Sequence, residues 1–319
     1  MNEKYDVVVV GGGAAGLGGA VTLARSRRSV LVVDAGDPRN ATAEGVHNYL
    51  GREGTPPGEL LALGRAELKA YGGELVSGTV SSAQALGDGG FRVRLADGGQ
   101  VLARRLLVTT GLTDELPDVE GLAGRWGRDV LHCPYCHGWE VRDRAIGVLA
   151  TGPMAMHQTL LFRQLSDDVT LFTHTAPSLS ADEREELDAV GVTVVEGEVT
   201  ALEVTGDRLT GVRLRSGEVV AREALAVAPR ATARAGVLAG LGLETAELEV
   251  GGHVIATYVP ADAQGATSVP GVWVAGNVAD PRAQVIASAA AGVGAAAAIN
   301  ADLVHEDARA AVAARRASR

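Results

Sequence analysis

Two thiols are the most reactive groups of this chain. Cys133 and Cys136, its 2 cysteines, stand in the run His132-Cys133-Pro134-Tyr135-Cys136-His137. A structural disulfide framework uses more bridges across longer loops. A bridge over two intervening residues removes almost no chain entropy. A zinc site needs four ligands, and no second Cys-x-x-Cys or His-x-x-x-His completes one, so no metal is expected. The reading is a reversible dithiol/disulfide pair; a partial metal site or two inert thiols are the alternatives. The flanking imidazoles can accept and return a thiol proton near neutral pH.

The second chemical feature is the loop Gly11-Gly12-Gly13-Ala14-Ala15-Gly16. Gly11, Gly13 and Gly16 occupy the fixed positions of G-x-G-x-x-G. The first permits a tight turn, the second lets the backbone approach a pyrophosphate, and the third lets helix and strand pack closely. The helix that follows offers free N–H groups and a positive dipole to phosphates. Asp34 stands where a carboxylate can bind ribose hydroxyls. Three glycines alone are a weak signal, but strand, helix and acid at this spacing predict a dinucleotide site.

The elements around these groups can be read from periodicity and punctuation. Residues 5–10 form an apolar run suited to a strand buried on both faces. A helix follows to about Ser26, then a strand over 29–33 ending at Asp34, which completes a βαβ unit. A helix is predicted over 55–72, closed by Gly72-Gly73. Short strands fill 74–110, with turns at 87–90 and 97–99, and 106–111 is a further buried strand. The polar stretch 112–121 looks like a boundary. A second βαβ unit opens with a strand over 145–150, a helix from about Pro153 and a strand over 169–172. Strands are predicted near 192–196, 199–204, 209–215 and 224–228, with a second boundary at 229–246. A strand over 271–275 closes on Gly276-Asn277, followed by a small-residue helix over 284–304 and an Arg-rich, solvated helix end at 309–319. The expected fold class is α/β, with two Rossmann-like, three-layer ββα nucleotide-binding domains.

Composition narrows the partners. Lys+Arg 29 against Asp+Glu 39 gives 29 − 39 = −10. That balance argues against nucleic acid, whose backbone demands a basic face. The longest uncharged stretch, 283–301, is mostly alanine and glycine, too weakly apolar to read as a membrane span. No leader pattern precedes Tyr5, so a signal peptide is not expected and the protein reads as cytoplasmic.

The glycine loop, the segment Val46-His47-Asn48-Tyr49-Leu50-Gly51, the Cys-x-x-Cys after about 130 residues and the late Gly-Val-Trp-Val-Ala-Gly-Asn fall in an order that resembles the low-molecular-weight thioredoxin reductases over nearly the whole chain. The resemblance implies a discontinuous FAD-binding domain, 1–114 and 246–319, with a pyridine-nucleotide-type domain, 115–245, inserted in it and carrying the Cys-x-x-Cys. It implies FAD on Gly11, Gly13, Ala14, Ala15, Gly16, Asp34, Ala35, Asn40, Asn48, Thr110, Gly111, Gly276, Asn277, Gln284 and Val285. It also implies that Cys136 faces the flavin, that Cys133 exchanges with substrate, and that the chain is a homodimer.

Three departures matter. Asn277 stands where the family has Asp. His137 stands where thioredoxin reductases carry an acid, which makes it the candidate acid/base, with His132 as its rival. The run Cys-Pro-Tyr-Cys-His-Gly is in this respect similar to the dithiol oxidases that close disulfides in gliotoxin- and holomycin-type natural products. The third departure is the second nucleotide loop, Ala150-Thr151-Gly152-Pro153-Met154-Ala155, which has one glycine and a proline without an N–H. After the strand at 169–172 stand Thr173-His174-Thr175, where the family's NADPH users place paired arginines. A 2′-phosphate wants guanidinium forks, so the expectation is poor NADPH use.

The leading expectation is an FAD-dependent dithiol oxidase that closes a disulfide in a small molecule, with O2 as acceptor and hydrogen peroxide as product. The alternative is a disulfide reductase carrying electrons from NADPH or ferredoxin to a thioredoxin-like partner. A flavin-containing redox sensor is the non-enzyme reading.

Overall fold

The structure is a computed structural model and describes residues 3–87 and 89–319; the turn expected at 87–90 contains Asp88, which lies outside the described residues. A seven-stranded sheet is built around strand Lys4–Val10. Val7, Val8, Val9 and Val10 are all buried, so both faces of this strand are covered, as central parallel strands require. It pairs in parallel with Val30–Asp34 (Val7 opposite Val30) and with Gln100–Val108 (Val7 opposite Arg105). Glu74–Ser77 extends one side. On the other, the nine-residue strand Gln100–Val108 pairs antiparallel with Phe91–Leu95 near its start and parallel with Val272–Val274 at its end. Its C-terminal end therefore brings the late strand beside the first one. Val8 and Val10 join one core and Val7 and Val9 the other, the period-two alternation of a strand.

Helix Ala14–Arg25 packs across helix Val285–Ala317. The crossing is close because Gly292 has no side chain: a Cβ there would lie 1.9 Å from the Ala15 carbonyl oxygen. The late helix is long and apolar enough to span a membrane by length and composition, yet Gly292, Ala295, Ala296, Ile299 and Leu303 are buried within the fold. It also runs past the expected end at 304. Arg105 Nε binds Asp302 at 2.5 Å, and Arg104 Nη2 binds Asp307 at 2.6 Å. Those ion pairs tie the next turns to the sheet where apolar periodicity has faded.

The second sheet is wholly parallel, in the order Thr193–Val195, Val169–Phe172, Ile146–Leu149, Ala224–Val227, Val130–Leu131. The edge strand Val130–Leu131 runs directly into His132 and Cys133, so the dithiol is delivered at the carboxyl end of the sheet, where open α/β sheets hold their ligands. A three-stranded antiparallel sheet, Val199–Thr205, Arg208–Leu214 and Val219–Val220, covers one face. A four-stranded sheet joins Leu112–Glu115, Arg230–Ala233, Ala246–Val250 and His253–Tyr258. These four strands fall in segments read from sequence as boundaries or left unassigned. Their exposed and half-buried residues lack the continuous apolar run that marked the other strands.

Candidate functional site

The carboxyl ends of the first sheet open into a cavity of about 740 Å³, within the range of small-molecule and cofactor sites. Gly11, Gly13, Ala14, Ala15, Asp34, Ala35, Asn40, Thr110, Gly111, Gly276, Asn277, Gln284 and Val285 line it, and so do His132, Cys133, Cys136 and His137. Thiols and glycine loop, 117 or more residues apart in sequence, thus face one space.

Gly13 is the cap residue of helix Ala14–Arg25, and a Cβ built there meets no atom within 4 Å. Open space at the end of a helix, walled by backbone, fits a pyrophosphate. Gly16 does not line the cavity. Its Cβ would lie 1.9 Å from the Gly11 carbonyl oxygen, so its part is close packing rather than contact. Asp34 accepts from the Gly12 N–H at 3.0 Å through Oδ1 and from Arg65 Nη2 at 3.2 Å through Oδ2. The Thr109 hydroxyl lies 2.8 Å from the Gly11 carbonyl and fixes the turn to the neighbouring strand.

The structure gives the Asn277 departure a reason. Its Nδ2 donates to the carbonyls of Asp280 at 3.0 Å and Ala283 at 2.9 Å, while Oδ1 lies 3.5 Å from Arg39 Nη1. A carboxylate cannot donate to two carbonyls. The amide therefore anchors its own loop and presents only its oxygen toward Arg39.

Asn48 needs correction. Its Nδ2 donates to the Tyr135 carbonyl at 2.6 Å, from a backbone at φ 57°, and it is not part of the cavity wall. The short polar side chain reaches across to the dithiol segment, so it holds the Cys-x-x-Cys rather than the cofactor cradle.

Cys133 caps the short helix Pro134–His137, and both cysteines are free thiols. The Cys136 thiol, hydrogen-bonded to it, lowers the Cys133 pKa to about 7. The backbone N–H groups of Cys136 and Tyr135 and the Arg39 cation act in the same direction, against the effect of burial. The hydrogen bond to Cys133, burial and the Cys133 charge push Cys136 the other way, upward. The pair thus loses its first proton easily, with the charge on Cys133, and holds the second. Arg39 itself is fixed by Asp114, at 2.7 and 2.6 Å in a two-point contact.

His132 Nδ1 lies 3.1 Å from the Val227 carbonyl. A carbonyl only accepts, so Nδ1 carries the hydrogen and Nε2 is left as a base. Gln158, buried, donates through Nε2 to the His132 carbonyl at 2.6 Å. Burial lowers the pKa of His132, and of His137 as well. Both rings are therefore neutral at pH 7 and able to accept a proton. Among the described residues the His137 ring has no hydrogen-bond partner, and it lines the same cavity as both thiols.

A Cβ at Gly152 of the second nucleotide loop would also meet nothing within 4 Å, but the residues beside it are tied down. Thr151 Oγ1 donates to the Ala228 carbonyl at 2.9 Å, bridging two strand ends. Pro153 sits against the turn at Gly251, within 3.5 Å of where a side chain there would begin. His174 accepts from the Val199 N–H at 3.0 Å through Nδ1.

Sequence reasoning missed Arg39, Arg65, Asp114 and Thr109. Arg39 had one signal, its place directly before Asn40; the other three act through contacts 31 to 99 residues away.

The model of the pyridine nucleotide-disulphide oxidoreductase family matches residues 5–296. Thioredoxin reductase tcpT of Claviceps purpurea is 32% identical over 257 residues, 75% of this chain and 78% of its own length. Thioredoxin reductase sirT of Leptosphaeria maculans is 31% identical over 93% of each chain. Among solved structures, HlmI superposes with a TM-score of 0.92 at 46% identity, over 100% of this chain and 98% of its own. An oxidoreductase from Agrobacterium tumefaciens gives 0.87 at 34% identity, over 95% and 99%. The chain belongs to the pyridine nucleotide-disulphide oxidoreductase family, in its thioredoxin reductase-like branch, and is a flavoprotein disulfide oxidoreductase.

Proposed function

We propose that this enzyme is an FAD-dependent dithiol oxidase that closes a disulfide in a small molecule. The observation that carries the reading is an asymmetry between two loops. The first glycine loop is open and shares its cavity with Cys133, Cys136, His132 and His137. The second has a single glycine, Gly152, a proline without an N–H, and Thr151 tied to the Ala228 carbonyl. Electrons then enter from thiols rather than from NADPH. FAD fits the first site by its open space at Gly13, its backbone walls and its ribose-side carboxylate Asp34. When bound, it would supply a two-electron acceptor open to reoxidation by O2, with hydrogen peroxide as product. In this reading 1–114 and 246–319 form the FAD-binding unit and 115–245 carry the dithiol.

The residues of this chain do the thiol exchange. With Cys133 and Cys136 joined, a substrate thiolate attacks the Cys133 sulfur and expels Cys136. The substrate's second thiol then attacks its own sulfur in the mixed disulfide, and Cys133 leaves as thiolate. A pKa of about 7 makes Cys133 a good leaving group. His137 and His132, neutral at pH 7, take the thiol protons as they come off. Tyr135, 63% exposed, offers an aromatic face beside the dithiol, suited to a ring-bearing substrate, while the Arg142 guanidinium lies over the nearby Trp139 ring at 4.1 Å.

The test is anaerobic. A small reduced dithiol should bleach the flavin quickly and NADPH slowly. Air should restore the yellow colour with about one peroxide per disulfide, the stoichiometry of two-electron transfer. Rapid bleaching by micromolar NADPH, followed by thioredoxin reduction, would replace this reading with the reductase, which the names of the relatives tcpT and sirT favour. Reduction only by a one-electron protein donor would install a ferredoxin-linked reductase instead.

A further inference from the structure

Two amide side chains from different elements grip the dithiol turn. Asn48 Nδ2 donates to the Tyr135 carbonyl and Gln158 Nε2 to the His132 carbonyl, each at 2.6 Å. Those two carbonyls belong to the peptides that carry the nitrogens of Cys136 and Cys133. Each cysteine is thus held through the peptide that precedes it. The turn itself is closed by the Cys136 N–H, 3.1 Å from the Cys133 carbonyl. Asn48 belongs to the loop 46–55, which is tied by the Val46 N–H to the Thr55 carbonyl at 2.8 Å and by the Asn48 N–H to Glu53 Oε2 at 2.9 Å. Gln158 belongs to helix Ala155–Arg163. Both positions carry a cost that packing does not explain. Asn48 sits at φ 57°, where a side chain is disfavoured and glycine is at ease. Gln158 is 5% exposed, and its Oε1 is buried with no partner among the described residues. An unpaired buried acceptor is destabilising, and an apolar side chain would avoid it. In return each side chain supplies one donor to a peptide of the dithiol.

We propose that Asn48 and Gln158 are positioning residues that hold the reduced Cys133 and Cys136 in the geometry of disulfide closure. This rests on the pair being redox-active, which the oxidase and the reductase readings share. Closure by glutathione disulfide forms one S–S bond in the protein and breaks the one in glutathione. The two protein thiols are oxidised, and their protons end on the two glutathione thiols released. After closure the turn is ordered by its own covalent bond. Before closure it is ordered by hydrogen bonds alone. Removing a clamp therefore loosens the reduced turn much more than the oxidised one, and closure must then order the segment as well as join the sulfurs. The balance moves toward the thiols. Neither residue touches sulfur, and neither lines the cavity, so both act through the backbone of the cysteines.

The test equilibrates the flavin-loaded wild type, Asn48→Gly, Asn48→Asp and Gln158→Met anaerobically with glutathione buffers. Thiols are then alkylated and counted by mass, with melting temperature and flavin content measured alongside. Loss of one neutral hydrogen bond corresponds to about two- to tenfold in an equilibrium constant. Gln158→Met should shift the balance toward thiols near the upper end, because its bond is shielded from water. Asn48 is exposed, so Asn48→Gly should lie near the lower end. Asn48→Asp should match Asn48→Gly, since a carboxylate has no donor. Flavin content should hold in all three. Melting should not fall in Gln158→Met, which removes an unpaired acceptor, nor in Asn48→Gly, which relaxes the backbone at φ 57°. A wild-type glutathione balance in Gln158→Met and Asn48→Gly would overturn the proposal, and a shift confined to one of them would overturn it for the other residue. A shift accompanied by a matching fall in melting temperature would make the contacts structural and overturn it too. Loss of flavin from the Asn48 variants would return that residue to the cofactor site. The glutathione balance does not depend on the electron donor, so bleaching by NADPH would end the oxidase reading and leave this result standing.

Discussion

Replacing Cys136 by alanine tests the electrostatics of the dithiol most directly. Its thiol makes the largest contribution to holding Cys133 at about 7. A hydrogen bond to a charged group is worth about 1.5–3 kcal/mol, and one pH unit corresponds to about 1.4 kcal/mol. Cys136→Ala should therefore raise the titration of Cys133 by about 1–2 pH units. The backbone N–H groups and Arg39 remain to oppose burial. In the reduced wild-type enzyme at pH 7, about half of Cys133 is thiolate, against about 3% for an ordinary thiol near 8.5. The alkylation rate alone reports this poorly. Nucleophilicity falls with pKa, with a Brønsted slope of about 0.4–0.5, which cancels roughly half of the gain on a logarithmic scale. The midpoint of the iodoacetamide rate against pH is the sound readout, followed on apo-protein so that no flavin absorbs. A midpoint near 7 in the wild type that stays there in Cys136→Ala would refute the shared-proton account.

Gly13→Val should fold, since no protein atom stands within 4 Å of the added carbon, but should purify colourless; full flavin content would mean the cofactor lies elsewhere. Asn277→Asp should lose the two bonds to Asp280 and Ala283, costing roughly 1–3 kcal/mol at about 0.5–1.5 each. Arg39 offsets part of that loss. Unchanged melting and flavin retention would show that the amide is not needed. His137→Ala should slow dithiol-driven flavin reduction by roughly 10²–10⁴-fold, and greater damage from His132→Ala would exchange the two roles. In the wild type that rate should rise with pH as the substrate thiol ionises, because the attacking species is its thiolate and Cys133 starts as a disulfide sulfur. The lowered histidines stay neutral there and lose their base function only below the ordinary imidazole range.

Much of this molecule was legible before folding because some residue types have few other uses. A Gly at each fixed position of the first loop, an acid at Asp34 and two thiols around Pro134-Tyr135 each restrict the chemistry locally. The buried strands were equally plain, since Val7 to Val10 and Val30 to Val33 must be covered on both faces. Strands such as Arg230–Ala233 and Leu112–Glu115 were not. They are short and partly exposed, and they are defined by pairing with each other across more than a hundred residues.

Tertiary structure alone decided what these groups meet. Composition and spacing named the dithiol and the glycine loop separately. The strand order brought the carboxyl end of Val130–Leu131 to the cavity above Gly13. Asn48 shows the same limit from the other side: its position in a motif suggested a cofactor ligand, whereas its side chain holds Tyr135. Arg39 is the clearest case. An arginine in a loop has no readable role until Asp114, 75 residues on, fixes its guanidinium beside the thiols. Local chemistry is written in residue types because sterics and bonding act over a few atoms. Charge and hydrogen bonding act through space, and only the folded chain sets those distances.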